Sequence, residues 1–162
     1  MISNKPASIF SRVMRFKAAS FFLLLSAATI ALADQSNLRL EQNKESDLND
    51  LKITSIGALA FKKDMASHID LVHRESDLNG NSLALDLGGG YVFPGSISLY
   101  LGVGISLDYN STSEEFSDLY YGEVGLVLDI TKKLGITIRQ QHFFHRADDY
   151  EEVIMLGVLF RH

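Results

Sequence analysis

The sequence contains no cysteine. An exported chain without cysteine has no disulfide framework, no thiolate metal site and no thiol to lipidate. Proline is scarce as well: of the two present, only Pro94 lies beyond residue 33, inside the turn FPGS. No segment sustains a helical apolar repeat, so no helical domain is expected. Positive charge is also thin beyond residue 33. Fifteen basic residues less the four in 1–33 leave eleven against twenty acidic ones, a formal balance of −9. That excludes a nucleic-acid surface, which needs a basic footprint. No later stretch reaches the ~20 apolar residues of a spanning helix. If this chain enters a membrane, it does so as strands.

What is present begins with a leader. Residues 1–17 carry Lys5, Arg12, Arg15 and Lys17 and no acid, and Ala18 to Ala33 is apolar and ends in Ala31-Leu32-Ala33. A basic head, an apolar core and an A-x-A site describe a secretory signal peptide cleaved after Ala33. A membrane anchor is the alternative, but a run of about 16 residues, broken by Ser20, Ser26 and Thr29, is short for it. The expected organisation is a signal peptide over 1–33 and a single all-β domain over 34–162.

Beyond Asp34, alternation predicts strands near 36–42, 51–61, 66–75, 82–92, 97–109, 119–130, 134–145 and 152–161, an antiparallel up-and-down order. The first, SNLRLEQ, rests only on Leu38 and Leu40. The connectors KKDM, PGS and TKK are tight, whereas EQNKESDLND, ESDLNGN, NSTSEEFSDL and HRADDYEE are longer, so lengths sort by parity. Lysines 62, 63, 132 and 133 fall in the short turns and acidic residues crowd the others. Short turns at one end and longer loops at the other are the habit of outer-membrane barrels.

The segment SISLYLGVGISLDYN decides which way the faces look. Ile97, Leu99, Leu101, Val103, Ile105, Leu107 and Tyr109 fill one face; Ser98, Tyr100, Gly102, Gly104, Ser106 and Asp108 fill the other. Period two makes this a strand but does not say whether the apolar face meets a core or lipid. A water-facing surface would carry Lys, Glu, Thr or Arg. Small residues instead suit the crowded interior of an eight-stranded barrel. SLALDLGGGYVF, YYGEVGLVLDI and LGITIRQQHFFH repeat the scheme, so the apolar face is expected to look outward. Closure then satisfies every backbone group in hydrocarbon. Phe61, Tyr91, Phe93, Tyr109, Tyr120, Phe144 and Phe160, near strand ends, are expected in interfacial girdles. Two strands resist: VIMLGVLF is apolar on both faces, with Val153, Met155 and Leu159 inward, and LKITSIGALAF can face either way. A soluble lipocalin-like barrel carrying an apolar ligand remains the alternative.

Taken together, the leader, the eight strands, the glycine-rich YVFPGSISLYLGVGI and the final LGVLF resemble the small outer-membrane β-barrels, and among them the YfaZ-type outer-membrane proteins. The likeness lies in spacing and alternation across the whole mature chain, without a diagnostic motif. Such barrels end on an aromatic read by the barrel-assembly machinery; here Phe160 is followed by Arg161 and His162. The resemblance implies location in the outer membrane, contact with its lipid and lipopolysaccharide, and no catalytic residue.

The lumen is expected to hold His68, Asp70, Arg74, Asp86, Glu123, Asp129, Arg139, Gln141 and Arg161. Buried charges are costly unless paired, so a structural plug is expected, with Glu123 and Arg139 as its pair. An ion path is the alternative, but so narrow a barrel leaves no channel. His142 and His145 fall on opposite faces, as do His68 and His73, so neither pair can share a metal. A lipid A hydrolase or acyltransferase of this architecture would need His145, Ser111 or Ser113, and Asp108 or Asp148 to meet at the rim. The His-x-Ser strand signature is absent, since Phe143-Phe144 follows His142 and Arg146-Ala147 follows His145. DDYEE and SEEFSD lack the alternating ligands of a calcium loop, and GGG at 88–90 opens no helix, so it is no phosphate loop. The expectation is a monomeric, non-enzymatic outer-membrane barrel with a membrane-integrity or surface-interaction role. No catalytic, cofactor-binding or metal-binding residue is assigned, no cofactor is expected, and nucleic acid is not a partner.

Overall fold

A computed structural model describes residues 35–43, 51–76, 80–93, 95, 97–144 and 150–161. The expected signal peptide lies outside the described residues. Eight strands follow one another: β1 Gln35–Asn43, β2 Lys52–Lys62, β3 Met65–Ser76, β4 Gly80–Phe93, β5 Ser98–Asn110, β6 Glu115–Asp129, β7 Leu134–Phe144 and β8 Tyr150–Arg161. Each pairs antiparallel with the next, and β8 returns to β1, closing the barrel.

The register fixes the shape. Starting at Leu38, successive partners are Ala58, Ile69, Leu87, Ile105, Tyr120, Phe144 and Tyr150. Leu38 itself pairs with Phe160 across the closure, ten residues along β8 from Tyr150. A stagger of ten over eight strands, at ~3.3 Å per residue and ~4.8 Å between strands, gives a tilt of about 41° and a radius of about 8 Å. Each residue then climbs the barrel axis by about 2.5 Å.

The faces divide as the alternation of β5 predicts. Leu101 and Val103 are 55% and 57% exposed on the outer wall, while Arg39 and Arg139, at 0% and 1%, are enclosed. A soluble barrel would invert that order, so the outward belt is the lipid face. Leu87 and Ile105, paired on that face, are covered, as are the paired Ala60 and Ser67. β2 resolves with Ile53, Ser55 and Leu59 buried inward and Ile56 exposed outward. In β8, Val153, Met155 and Leu159 are indeed the buried set.

Three expectations change. β1 is a full nine-residue strand, hydrogen-bonded on both sides; it reads weakly because its inward face is Asn37, Arg39 and Glu41. The connectors at the acidic end are mostly short. Asn110 Oδ1 accepts from the backbone N–H groups of Thr112 and Ser113 at 2.8 and 3.0 Å, and Glu114 turns the chain with φ 57°. Pairing therefore restarts at Asn110–Glu115, four residues before the expected start of β6. Gly80, with φ 73°, likewise opens β4 immediately after residues 77–79. Finally, Phe61 is not a girdle residue: it shares inward parity with Leu59 and packs inside the lower end. Tyr91, Phe93, Tyr109, Tyr120, Phe144 and Phe160 are exposed outward as expected, and Phe116 joins them.

Candidate functional site: a stacked, charged lumen

The interior is built in layers. At the end bearing the termini lies an apolar plug of Leu59, Ala66, Val92, Tyr100, Val127 and Leu159. A second apolar layer, including Ile53, Val72, Tyr121, Phe143 and Met155, fills the opposite half. Ionic groups lie on the lumen rows between them.

Asp70 is the hub. Arg39 Nη2 reaches its Oδ2 at 2.5 Å, Arg139 Nη1 donates to the same oxygen at 3.2 Å, and His68 Nδ1 lies 2.7 Å from it. His68 Nε2 contacts Glu123 Oε1 at 2.8 Å. Arg139 Nη2 sits 2.6 Å from Glu41 Oε2, and Thr137 Oγ1 donates to Glu41 Oε1 at 2.9 Å. Arg39 Nη1 also donates to Tyr100 Oη at 3.3 Å. Two guanidinium groups and the His68 imidazole thus face three carboxylates.

Apart from His68–Asp70, both on β3, these pairs join strands that are not neighbours, and glycine makes that possible. Gly57 stands between Arg39 and Asp70 in the register, and a Cβ there would strike Asp70. Gly157 stands between Thr137 and Glu41, and a Cβ there would strike the Glu41 side chain. At Gly88 a Cβ would meet His68 and Glu123 together. The same device seats the rings: Gly125 lies under Tyr100 and Gly104 under Tyr121. The lumen-facing glycines of β2, β4, β5, β6 and β8 are therefore gaps through which larger groups meet.

Nearer the acidic rim, Arg74 Nη1 donates to Asp108 Oδ2 at 2.6 Å and Nη2 to Ser106 Oγ at 3.0 Å, with Asp86 at 3.3 Å. Its guanidinium lies 5.4 Å from the centre of the Phe143 ring. At the opposite end Arg161 pairs with Asp129.

All nine residues expected in the lumen are on its face, and His68, Asp70, Asp86, Glu123, Arg139 and Gln141 are buried. Glu123 and Arg139 are a secondary contact at 3.6 Å; Arg139 is held closer by Glu41 and Glu123 by His68. The expected principal pair is corrected accordingly. Sequence reasoning missed Arg39 and Glu41, although their alternation with Leu38 and Leu40 was the available signal. His73 is exposed on the outer wall, opposite in face to His68. His142 also faces outward, 3.2 Å from Glu152 and edge-on to Phe144. Of the groups a hydrolase would need, Asp108 is engaged by Arg74 and Ser111 Oγ donates to the Asn81 carbonyl at 2.8 Å. Ser113 lies in the turn that Asn110 caps. His145 and Asp148 are outside the described residues.

No family model and no curated protein matches the chain. Solved structures do. The N-terminal β-barrel domain of OprF from Pseudomonas aeruginosa aligns at 14% identity over 80% of this chain and 98% of that one, with a TM-score of 0.58. Neisserial surface protein A aligns at 14% identity over 79% and 95%, with a TM-score of 0.55. The Yersinia pestis outer membrane protein Ail aligns at 13% identity over 79% and 99%, with a TM-score of 0.56. The chain is an eight-stranded β-barrel of the outer-membrane type.

Proposed function

We propose that this barrel is a non-enzymatic component of the outer membrane, similar to the YfaZ-type proteins, exported through residues 1–33 and inserted by the barrel-assembly machinery. It acts as a monomeric element of membrane integrity and surface interaction, with lipid and lipopolysaccharide around its wall and acidic turns at its rim. The observation that carries this reading is the lumen: charges matched at its centre and apolar side chains packed on either side leave the interior to support the wall. What remains for interaction is the outer surface.

The test is gel mobility of the outer-membrane fraction, with and without boiling, paired with conductance in planar bilayers. A closed, plugged barrel gives a heat-dependent shift and no stable ion current. Protein in the soluble periplasm without a shift, or steady channel currents, would overturn the reading.

A further inference from the structure

The lipid face is not equally tall around the barrel. Outward positions stay apolar or glycine from Phe93 to Leu83 along β4 and from Ile130 to Tyr120 along β6. Each of these runs climbs about 25 Å at the tilt derived above, and Ile97 to Tyr109 along β5 climbs about 30 Å. The other five strands fall short. On β2 the run from Ala60 ends at Ile56, below exposed Thr54, and on β7 the run from Leu134 ends at Ile138, below exposed Gln140. Both climb only about 10 Å. The runs Met65 to Leu71 on β3, with covered Ser67 inside it, and Phe160 to Ile154 on β8 climb about 15 Å. On β1 only Leu38 and Leu40 are outward and apolar, between exposed Ser36 and exposed Gln42.

The narrowing comes from both edges. Hydrogen-bonded partners rise by about 3 Å along the axis from one strand to the next. Through the register, Leu40 therefore tops its run about 18 Å below Tyr109 on β5, across the barrel. At the opposite edge Leu38 starts its run about 7 Å above Ile97. Lys52 on β2 stands level with Leu83 on β4, so one height is charged on one flank and apolar on the other. The belt is a wedge, thin along β1 and thick along β5. Tilting a rigid barrel raises both edges on one side and lowers both on the other, so no tilt fits a wedge to a flat bilayer.

We propose that this barrel thins the bilayer on one flank, drawing the headgroup layer at its acidic end down by about 10 Å over β1, β2 and their neighbours. The inference rests on the outer-membrane reading and says what the barrel does to the lipid around it. A flat surface would sink the Thr54 hydroxyl and the Gln42 and Gln140 amides in hydrocarbon. None of these three side chains has a hydrogen-bond partner among the described residues. An unpartnered polar group in hydrocarbon costs far more than an ångström of mismatch, so the bilayer yields before the groups are buried. This flank fits short or disordered chains, and the β5 flank fits full-length ones. The barrel therefore shapes the membrane as well as occupying it.

The chain has no cysteine, so single introduced thiols report local water. The full barrel is placed in nanodiscs of dimyristoylphosphatidylcholine, open at both faces, and treated with a water-soluble maleimide. Thr54→Cys and Gln42→Cys are compared with Leu85→Cys and Val103→Cys, which lie within about 3 Å of the same heights on the thick flank. Because the hydrated, ionised thiol is the one that reacts, the first two are expected to label at least about tenfold faster. Equal rates overturn the proposal. Fast labelling of Leu101→Cys, toward the lower end of β5, together with Thr54→Cys would mean a tilted barrel and overturn it too. With Gln42→Leu, His73→Leu and Gln140→Leu added, Thr54→Cys is expected to fall to the slow rate, and an unchanged rate refutes the role of the polar edge. The heat-dependent gel shift is read separately for each variant. Wild type without the shift strikes the membrane reading itself, whereas a shift with equal rates strikes only the thinning.

Discussion

Arg139 offers the sharpest test of the lumen. Its guanidinium touches Glu41 at 2.6 Å, Asp70 at 3.2 Å and Glu123 at 3.6 Å, and it is 1% exposed. Arg139→Met keeps much of the volume and removes the charge, leaving Arg39 to face three carboxylates with help only from His68. At an effective dielectric of about 20, one unit charge pair at ~4 Å is worth roughly 4 kcal/mol. Stripping one partner from a buried pair costs about 3–5 kcal/mol. The unfolding equilibrium should therefore shift by roughly two to four powers of ten. The assay is urea unfolding in thin-chain phospholipid vesicles, read by the heat-dependent gel shift and by circular dichroism. The compensating variant Arg139→Met/Glu41→Gln restores the balance between the two signs. It should recover about 1–3 kcal/mol relative to the sum of the single changes. A loss below about 1 kcal/mol for Arg139→Met, or strict additivity in the double variant, would refute the claim that the network is held by matched charge.

The glycine gaps make a second prediction. Gly104→Val should cost more than the ~1–3 kcal/mol of ordinary overpacking, because its side chain meets the Tyr121 ring, and adding Tyr121→Ala should relieve most of the loss in the same urea assay. On the lipid face, Val103→Arg should destabilise the barrel by about 2–4 kcal/mol in vesicles; a neutral effect would contradict the outward reading of β5. Overexpression of the intact chain should leave the mass spectrum of cellular lipid A unchanged. A new acylation state, abolished by His145→Ala, would establish an enzyme instead.

Much of the architecture was legible because β4, β5 and β7 alternate large apolar residues with small or polar ones, and that period assigns each residue to a face. The identity of the outward face followed from the glycine and serine opposite those apolar rows. β1 was harder, since Arg39 and Glu41 look like surface residues until the barrel closes over them. The partners within the lumen were not legible for a related reason. Alternation gives a side, whereas Arg39–Asp70, Glu41–Arg139 and His68–Glu123 join strands separated by at least one other. The start of β6 was hidden by composition. STSEEFSD reads as loop, yet the Asn110-capped turn is tight enough for pairing to restart at Glu115.

The reach of the charges across intervening strands bears on the order of assembly. β1 emerges first and carries Arg39 and Glu41, 3.5 Å apart, but the closer cation for Glu41, at 2.6 Å, and the second guanidinium facing Asp70 and Glu123 arrive only with β7. A sheet of six strands therefore holds unmatched charge on the side that will become the interior, and hydrocarbon is a poor place for it to wait. Insertion of this chain is consequently expected to be a single concerted event, with the first strand kept in a wet or escorted environment until the seventh is in place. The ionic centre acts as a latch on completion.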